Sequence, residues 1–410
     1  MTQTPRVALF CETYHEINGV ALTARQLVAY AKRQNLPLLA VHGGKQPGIE
    51  TEGTVRRVEL KRSWLSIGIE SDLEFDFAFW RYARRLRQEL LDFRPDVIHI
   101  TSPGELGELG VYLSRKLKVP LVASWHTNFH QFAARRLQKL LGFLPASTTK
   151  STVAWSQQRG LGILLWFYDF AKVTLAPTRP QVEWLEKELG KPSFLMPRGV
   201  DPEQFNPKHR TVSDGPLRLG FVGRVTPEKG VRLFRKIEEA LLASGLKDFR
   251  ILIVGDGSEV AWLKRRLKHA EFTGVLRGAE LARAYANMDL FVFPSKTDTF
   301  GNVIQEAAAS GVPSVVTNEG GPRHLVVQGQ TGYIAESDAQ FVAKVVELAH
   351  NREQLKQLGA AARHRVEGIS WDAAFEQTYK AYRHCLPREV EALNVAQKAQ
   401  AVRAPANPQR

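Results

Sequence analysis

The feature that most restricts the fold is a repeated unit: a short apolar run that reads as a strand, a polar loop containing glycine, and then apolar residues at helical spacing. Its first copy runs through residues 6–11, the loop 12–19 (ETYHEING) and a stretch from Val20 onward in which Leu27, Val28 and Ala31 fall on one helical face. Further strands are predicted at 37–41, 55–60, 96–101 and 120–125, separated by helical patterns such as 77–93. The second half repeats the theme with strands at 217–223, 250–254, 290–293 and 313–317. Strands that alternate with helices imply parallel, doubly wound α/β sheets, and ligands are then expected beyond the strands' carboxyl ends. A chain of 410 residues has room for two such domains.

The stretch 294–311, PSKTDTFGNVIQEAAASG, carries the most chemistry. An apolar strand passes into a polar loop and then into an alanine-rich helix stopped by Gly311. Asp298 lies on the loop and Glu306 about one turn into the helix. Unpaired first-turn amides of Gly301, Asn302 and Val303, next to Phe300, suit an anion carrying phosphate or hydroxyls. Acids are also common at ordinary helix starts, so the pair alone leaves a solvated helix end open.

Earlier in the second half, the loop GRVTPEKG, 223–230, holds Arg224 and Lys229 across a turn. An arginine fork and a lysine point charge at that spacing are matched to a diphosphate, although two cations near a loop are commonplace. In the first half, the loop SWHTNFHQF, 124–132, places His126 after a strand, with His130 four residues on. A histidine among aromatics reads equally as a structural hydrogen-bonding residue. Gly320 and Gly321 read either as ligand neighbours or as a bare turn.

An acid, seven residues and a glutamate, with TFGN inside and SGVP after it, resembles the donor-site signature of retaining glycosyltransferase family 4. The NGV at 18–20, GR…KG at 223–230, GDG at 255–257 and RGVDxxxFxP at 198–207 are similar to that family's motifs in their expected order. The resemblance runs from the first strand to about Cys385. It implies a GT-B fold: two Rossmann-like doubly wound domains facing an interdomain cleft, tied by a C-terminal crossover helix. The domains are then 1–205 for acceptor and 206–369 for donor, with the polar run 206–216 as linker. Residues 370–386 form the crossover helix and 387–410 a disordered tail.

The resemblance also implies roles. Arg224 and Lys229 hold the donor diphosphate, Asp298 the hexose hydroxyls and Glu306 the ribose, while His126 faces the transferred sugar and Gly19 allows close backbone approach. GDP-mannose is the donor the motifs resemble most, with UDP-glucose, UDP-galactose and UDP-sulfoquinovose as alternatives. A binding module without turnover is the rival from another class. No cofactor beyond the nucleotide-sugar co-substrate and no metal is expected, because no DxD motif lies at a strand end.

The formal charge of +14 favours anionic partners. Without an RNP, helix-turn-helix or zinc-finger pattern, nucleic acid is not expected; the nucleotide sugar and an anionic membrane surface are. The basic amphipathic stretch 132–144 reads as a membrane-surface helix or a solvated domain helix. The run 161–170 is too short to span a bilayer and is expected to be a core helix. Two cysteines far apart, Cys11 and Cys385, read as free thiols of a reduced compartment. The expected location is cytoplasmic, with peripheral attachment to the inner face of the membrane where the acceptor is a lipid.

Overall fold

In the computed structural model, which describes residues 4–16, 18–63, 67–70, 73–126, 158–212 and 215–386, the chain divides into two units. Unit 1 takes the chain up to Pro197 and again from Phe375, and unit 2 is Arg198–Ala374. The division falls ahead of the polar run predicted as the linker. The reason is packing: Val200 and Phe205 belong to the hydrophobic core of unit 2, and Val200 N–H donates to Ile369 O at 3.1 Å.

Unit 1 is built on strands β1 (Val7–Cys11), β2 (Leu38–Gly44), β3 (Gly48–Glu52) and β4 (Val55–Lys61). A small hairpin follows, β5 (Ile67–Glu70) with β6 (Leu73–Phe75), and then β7 (Val97–Ile100), β8 (Leu121–Ser124), β9 (Val173–Ala176) and β10 (Ser193–Leu195). The eight-stranded sheet has the order β10-β9-β8-β7-β1-β2-β4-β3. Every pairing in it is parallel except β3 with β4. β1, β2, β7, β8 and β9 are buried throughout, which is why they read as mainly apolar runs, interrupted by the buried polar residues His42, His99, Ser124 and Thr174. The antiparallel edge strand β3 is exposed at every position, so no hydrophobic pattern announces it.

Helices α1 (Gly19–Arg33), α2 (Ala83–Phe93) and α3 (Glu105–Leu117) cover this sheet. The predicted helix from 77 begins instead as a 3-10 turn, Phe77–Tyr82, capped by Asp76. Residues 158–168 are helical, but not a pure core helix: Leu164, Phe167 and Tyr168 are buried while Ile163 and Trp166 are 66% and 63% exposed. The stretch 132–144, His130 and the tail 387–410 lie outside the described residues.

Unit 2 has six parallel strands: β11 (Leu217–Val222), β12 (Phe249–Val254), β13 (Ala270–Gly274), β14 (Leu290–Phe293), β15 (Ser314–Thr317) and β16 (Gly332–Ala335). Their order is β13-β12-β11-β14-β15-β16. Strand order therefore reverses between β11 and β14, the point at which doubly wound sheets bind ligands. A last helix, Trp371–His384, starts in unit 2 and passes into unit 1, where Tyr382 Oη lies 2.8 Å from His99 Nδ1 and Phe375 packs on Tyr30. Among the described residues no helix is long and apolar enough to cross a membrane.

Candidate active site

In unit 2 the loops that leave β11 and β14 meet at the reversal point. The first, 223–230, is pinned from one side by the loop after β12: Val225 N–H donates to Asp256 O, and Glu259 N–H to Val225 O, both at 2.9 Å. It ends in a 3-10 turn, Pro227–Lys229, whose following residue Gly230 has φ +68°. A Cβ on Gly230 would stand 2.4 Å from Pro294 O, so only glycine lets this loop lie against the one from β14.

That contact brings Lys229 to Asp298, 69 residues away in sequence: Nζ donates to Oδ1 at 2.7 Å. Both side chains are largely withdrawn from solvent, at 13% and 20% exposure. Burial is the largest influence on Asp298 and pushes its carboxyl upward. The Lys229 ammonium outweighs it, helped by the Ser295 hydroxyl and the Arg224 guanidinium, and the group sits below its ordinary value. Asp298 Oδ2 is buried and makes no well-formed hydrogen bond, leaving acceptor capacity for a ligand hydroxyl. Arg224 is half-buried beside this pair, so two cations and one ionised acid gather at the strand ends.

The helix after the β14 loop is Asn302–Ala309, and its N-cap is Gly301 in the left-handed region with no side-chain cap. Its start thus offers backbone donors rather than a satisfied capping residue. Asn302 and Val303 are half-buried, and Phe300 is 7% exposed, so Phe300 offers a ligand backbone more than ring. The second glycine pair finds its role here: Gly321 N–H donates to Asp298 O at 2.6 Å, supporting the loop from behind. Gly321 is therefore a brace on the loop backbone and more than a bare turn.

Glu306 is one turn into the helix, and its Oε2 accepts from Tyr285 Oη at 2.8 Å. Burial raises its carboxyl to about 7, against a smaller lowering by that hydrogen bond. Sequence reasoning missed Tyr285. The available signal was a tyrosine within an apolar helix, whose buried hydroxyl needs a partner. Ser295, beside Asp298, was missed for want of any pattern.

In unit 1, Gly19 opens α1, with Asn18 as N-cap accepting from Ala21 N–H at 2.8 Å, so the Asn-Gly pair is a helix start and not a turn. His126 follows β8 and is 7% exposed; the preceding Trp125 is buried against Tyr168 and Trp184. At the end of β1, Glu12 accepts from Ser102 Oγ at 2.7 Å and from the α3 amides of Leu106 and Gly107 at 2.9 and 3.4 Å. Burial first, and then the Glu105 carboxylate, raise Glu12 to about 7.

Residues 17–204 match the family model described as Glycosyltransferase Family 4, and 216–351 the one described as Glycosyl transferases group 1. A GDP-mannose-dependent alpha-mannosyltransferase of Mycobacterium tuberculosis is 31% identical over 398 residues, 92% of this chain and 96% of its own. The sulfoquinovosyl transferase SQD2 of Arabidopsis thaliana is 31% identical over 314 residues, 71% of this chain and 57% of its own. Among solved structures, a sucrose-phosphate synthase of Thermosynechococcus elongatus aligns with a TM-score of 0.69 at 17% identity, covering 92% of this chain and 98% of that one. The likeness at that identity shows the fold, GT-B.

Proposed function

Because the chain belongs to glycosyltransferase family 4, and so is a hexosyltransferase, we propose that it moves mannose from GDP-mannose to a lipid or glycan hydroxyl, forming an α-linkage with retention. The observation that carries this reading is the Lys229–Asp298 pair beside Arg224 at the reversal point of unit 2. The mannosyltransferase name of a relative aligned over nearly the whole chain favours the sugar.

In this reading the donor diphosphate is held by Arg224, Lys229 and the amides at the start of the 302–309 helix. Asp298 Oδ2 accepts from a hexose hydroxyl, Glu306 from the ribose, and His126 supports the transferred hexose. The bond from the anomeric carbon to the β-phosphate oxygen breaks as the acceptor oxygen bonds to the same face of that carbon. The acceptor proton passes to the departing phosphate, whose growing charge Arg224 and Lys229 neutralise. Preorganised donors of this kind are typically worth ~3–4 kcal/mol each. The step assigns no role to a metal ion, and transfer is expected to run without added Mg²⁺ or Mn²⁺. A lipid acceptor would bring the enzyme to an anionic membrane surface.

The test is a thermal-shift screen of nucleotide sugars, followed by transfer assays and determination of the product anomer. GDP-mannose should give the largest shift and an α-product. A shift and turnover only with a UDP-sugar would move the reading to glycolipid synthesis with that donor, which the likeness to a sulfoquinovosyl transferase favours as the second choice. Binding without donor hydrolysis or transfer would leave a nucleotide-sugar-binding module.

A further inference from the structure

Unit 1 holds a second cluster, built from none of the residues assigned to the nucleotide sugar. His15 in the loop after β1, His42 on β2 and Glu59 on β4 converge, with one ligand-type atom of each lying within 4.8 Å of the others. His15 Nε2 is 3.3 Å from Glu59 Oε2. The His15 and His42 rings meet edge to face with centroids 4.9 Å apart, and Tyr14 stacks flat on His42 at 4.2 Å. His42 is 3% exposed, whereas the His15 side chain is 55% exposed.

A histidine–carboxylate contact explains His15 and Glu59. It does not explain a second, buried imidazole aimed at the same point. The Glu59 carboxylate lies over Gly44, where a Cβ would come within 1.8 Å of Oε1. The absence of a side chain at Gly44 leaves room for the carboxylate in this position.

We propose that His15, His42 and Glu59 bind a zinc ion that fastens the 12–16 loop to strands β2 and β4. Two imidazoles and a carboxylate form a donor set that suits zinc, with a fourth position open to water. Ligand atoms at ~2.1 Å from one tetrahedral ion stand about 3.4 Å apart, so loading draws the cluster inward by up to about 1.4 Å from the present limit of 4.8 Å. The exposed His15 can make that movement. The ion would fix the segment that runs directly into the Asn18 cap of α1.

The experiment uses the full chain without an affinity tag, stripped of metal, titrated with zinc against a chromophoric chelator and followed by hydrogen exchange of the loop peptides. One zinc per chain is expected, with slower exchange in the loop ending at Gly19. His15→Ala and Glu59→Gln should each weaken binding about tenfold or more and abolish the slowing. His42→Ala should do the same; as its site is buried, His15→Ala, at an exposed position, carries the decision if it unfolds. No zinc binding by the wild-type chain would overturn the proposal. So would wild-type affinity in His15→Ala and Glu59→Gln, or equal loop protection by Mg²⁺, for which imidazole is a poor ligand. None of these readouts depends on sugar transfer, so the metal site and the donor reading fail separately.

Discussion

The two units place an acid at comparable points of their sheets and treat it in opposite ways. In unit 2, Asp298 follows β14 at the reversal point, meets the Lys229 ammonium and is held ionised. In unit 1, Glu12 follows β1, beside β7 where that sheet also reverses, and is held by a hydroxyl and two amides near a second carboxylate. Its group is raised to about 7 where that of Asp298 is lowered. The same topology therefore yields an ionised acid paired with a cation in one unit and a near-neutral structural tie in the other. What separates them is whether a cation is delivered by the neighbouring loop.

The largest effect that sharpens this contrast should come from the unit 2 cations. Arg224→Ala and Lys229→Ala are each expected to lower kcat roughly 10²–10³-fold with a smaller change in KM, read by steady-state kinetics. Near-normal turnover in the double variant would break the assignment of leaving-group charge to these residues. Calorimetry with GDP should show Lys229→Ala weakening binding about tenfold or more through loss of a charge-assisted contact, while Glu12→Gln leaves it unchanged.

Next in size is the ion pair itself. Asp298→Asn leaves Lys229 half-desolvated without its partner, and chemical denaturation should report a loss of about 1–3 kcal/mol. The same change on the unit 1 acid, Glu12→Gln, keeps a hydrogen-bonding group of equal size and should cost less. Equal losses would erase the distinction between a charged pair and a neutral tie.

The third effect is on pH. Glu12 and Glu306 both rise in the folded protein from an ordinary 4.5 to about 7, so between those values the folded state binds more protons than the unfolded one. Their contribution to stability is complete below about 4.5 and is lost as pH rises through about 7. Each should contribute on the order of 1–2 kcal/mol to that decline, less than the full shift because both residues are half-buried rather than fully enclosed. Glu306→Gln and Glu12→Gln should each flatten the slope in denaturation curves taken from pH 4.5 to 7.5, whereas Asp298→Asn should not.

The smallest effect is Tyr285→Phe. It deletes one hydrogen bond to Glu306, about 1 kcal/mol, and should push the Glu306 carboxyl higher still, seen in a carbon-detected NMR titration. A downward movement would mean that Tyr285 does not stabilise the charged form.

Much of this architecture was already legible in the residues. β1 and β14 are apolar from end to end, and the helices between such strands keep a 3.6-residue stripe, so parallel sheets follow from periodicity alone. β3 escaped because a fully exposed edge strand buries nothing and so carries no alternation; only Gly53, at φ +59° between β3 and β4, marks the hairpin. The run 161–170 is expected to be a core helix because it is too short to span a bilayer, yet burial follows contact, and Trp166, although it meets Phe170 edge to face, stays 63% exposed.

The sequence by itself determined the family, the two doubly wound sheets and which residue types stand in the loops beyond their strands, since these depend on local spacing and on motifs read in order. Only the tertiary structure decided the partnerships: Lys229 with Asp298 rather than waiting for a phosphate, Tyr285 with Glu306, Gly321 bracing Asp298, and two histidines with Glu59 on the other unit. Each joins side chains or backbone from separate loops, helices or strands. Strand register, as between β2 and β4, and the close approach of loops at Gly230 set those distances, and a carboxyl's charge at neutral pH depends on them more than on its neighbours in sequence.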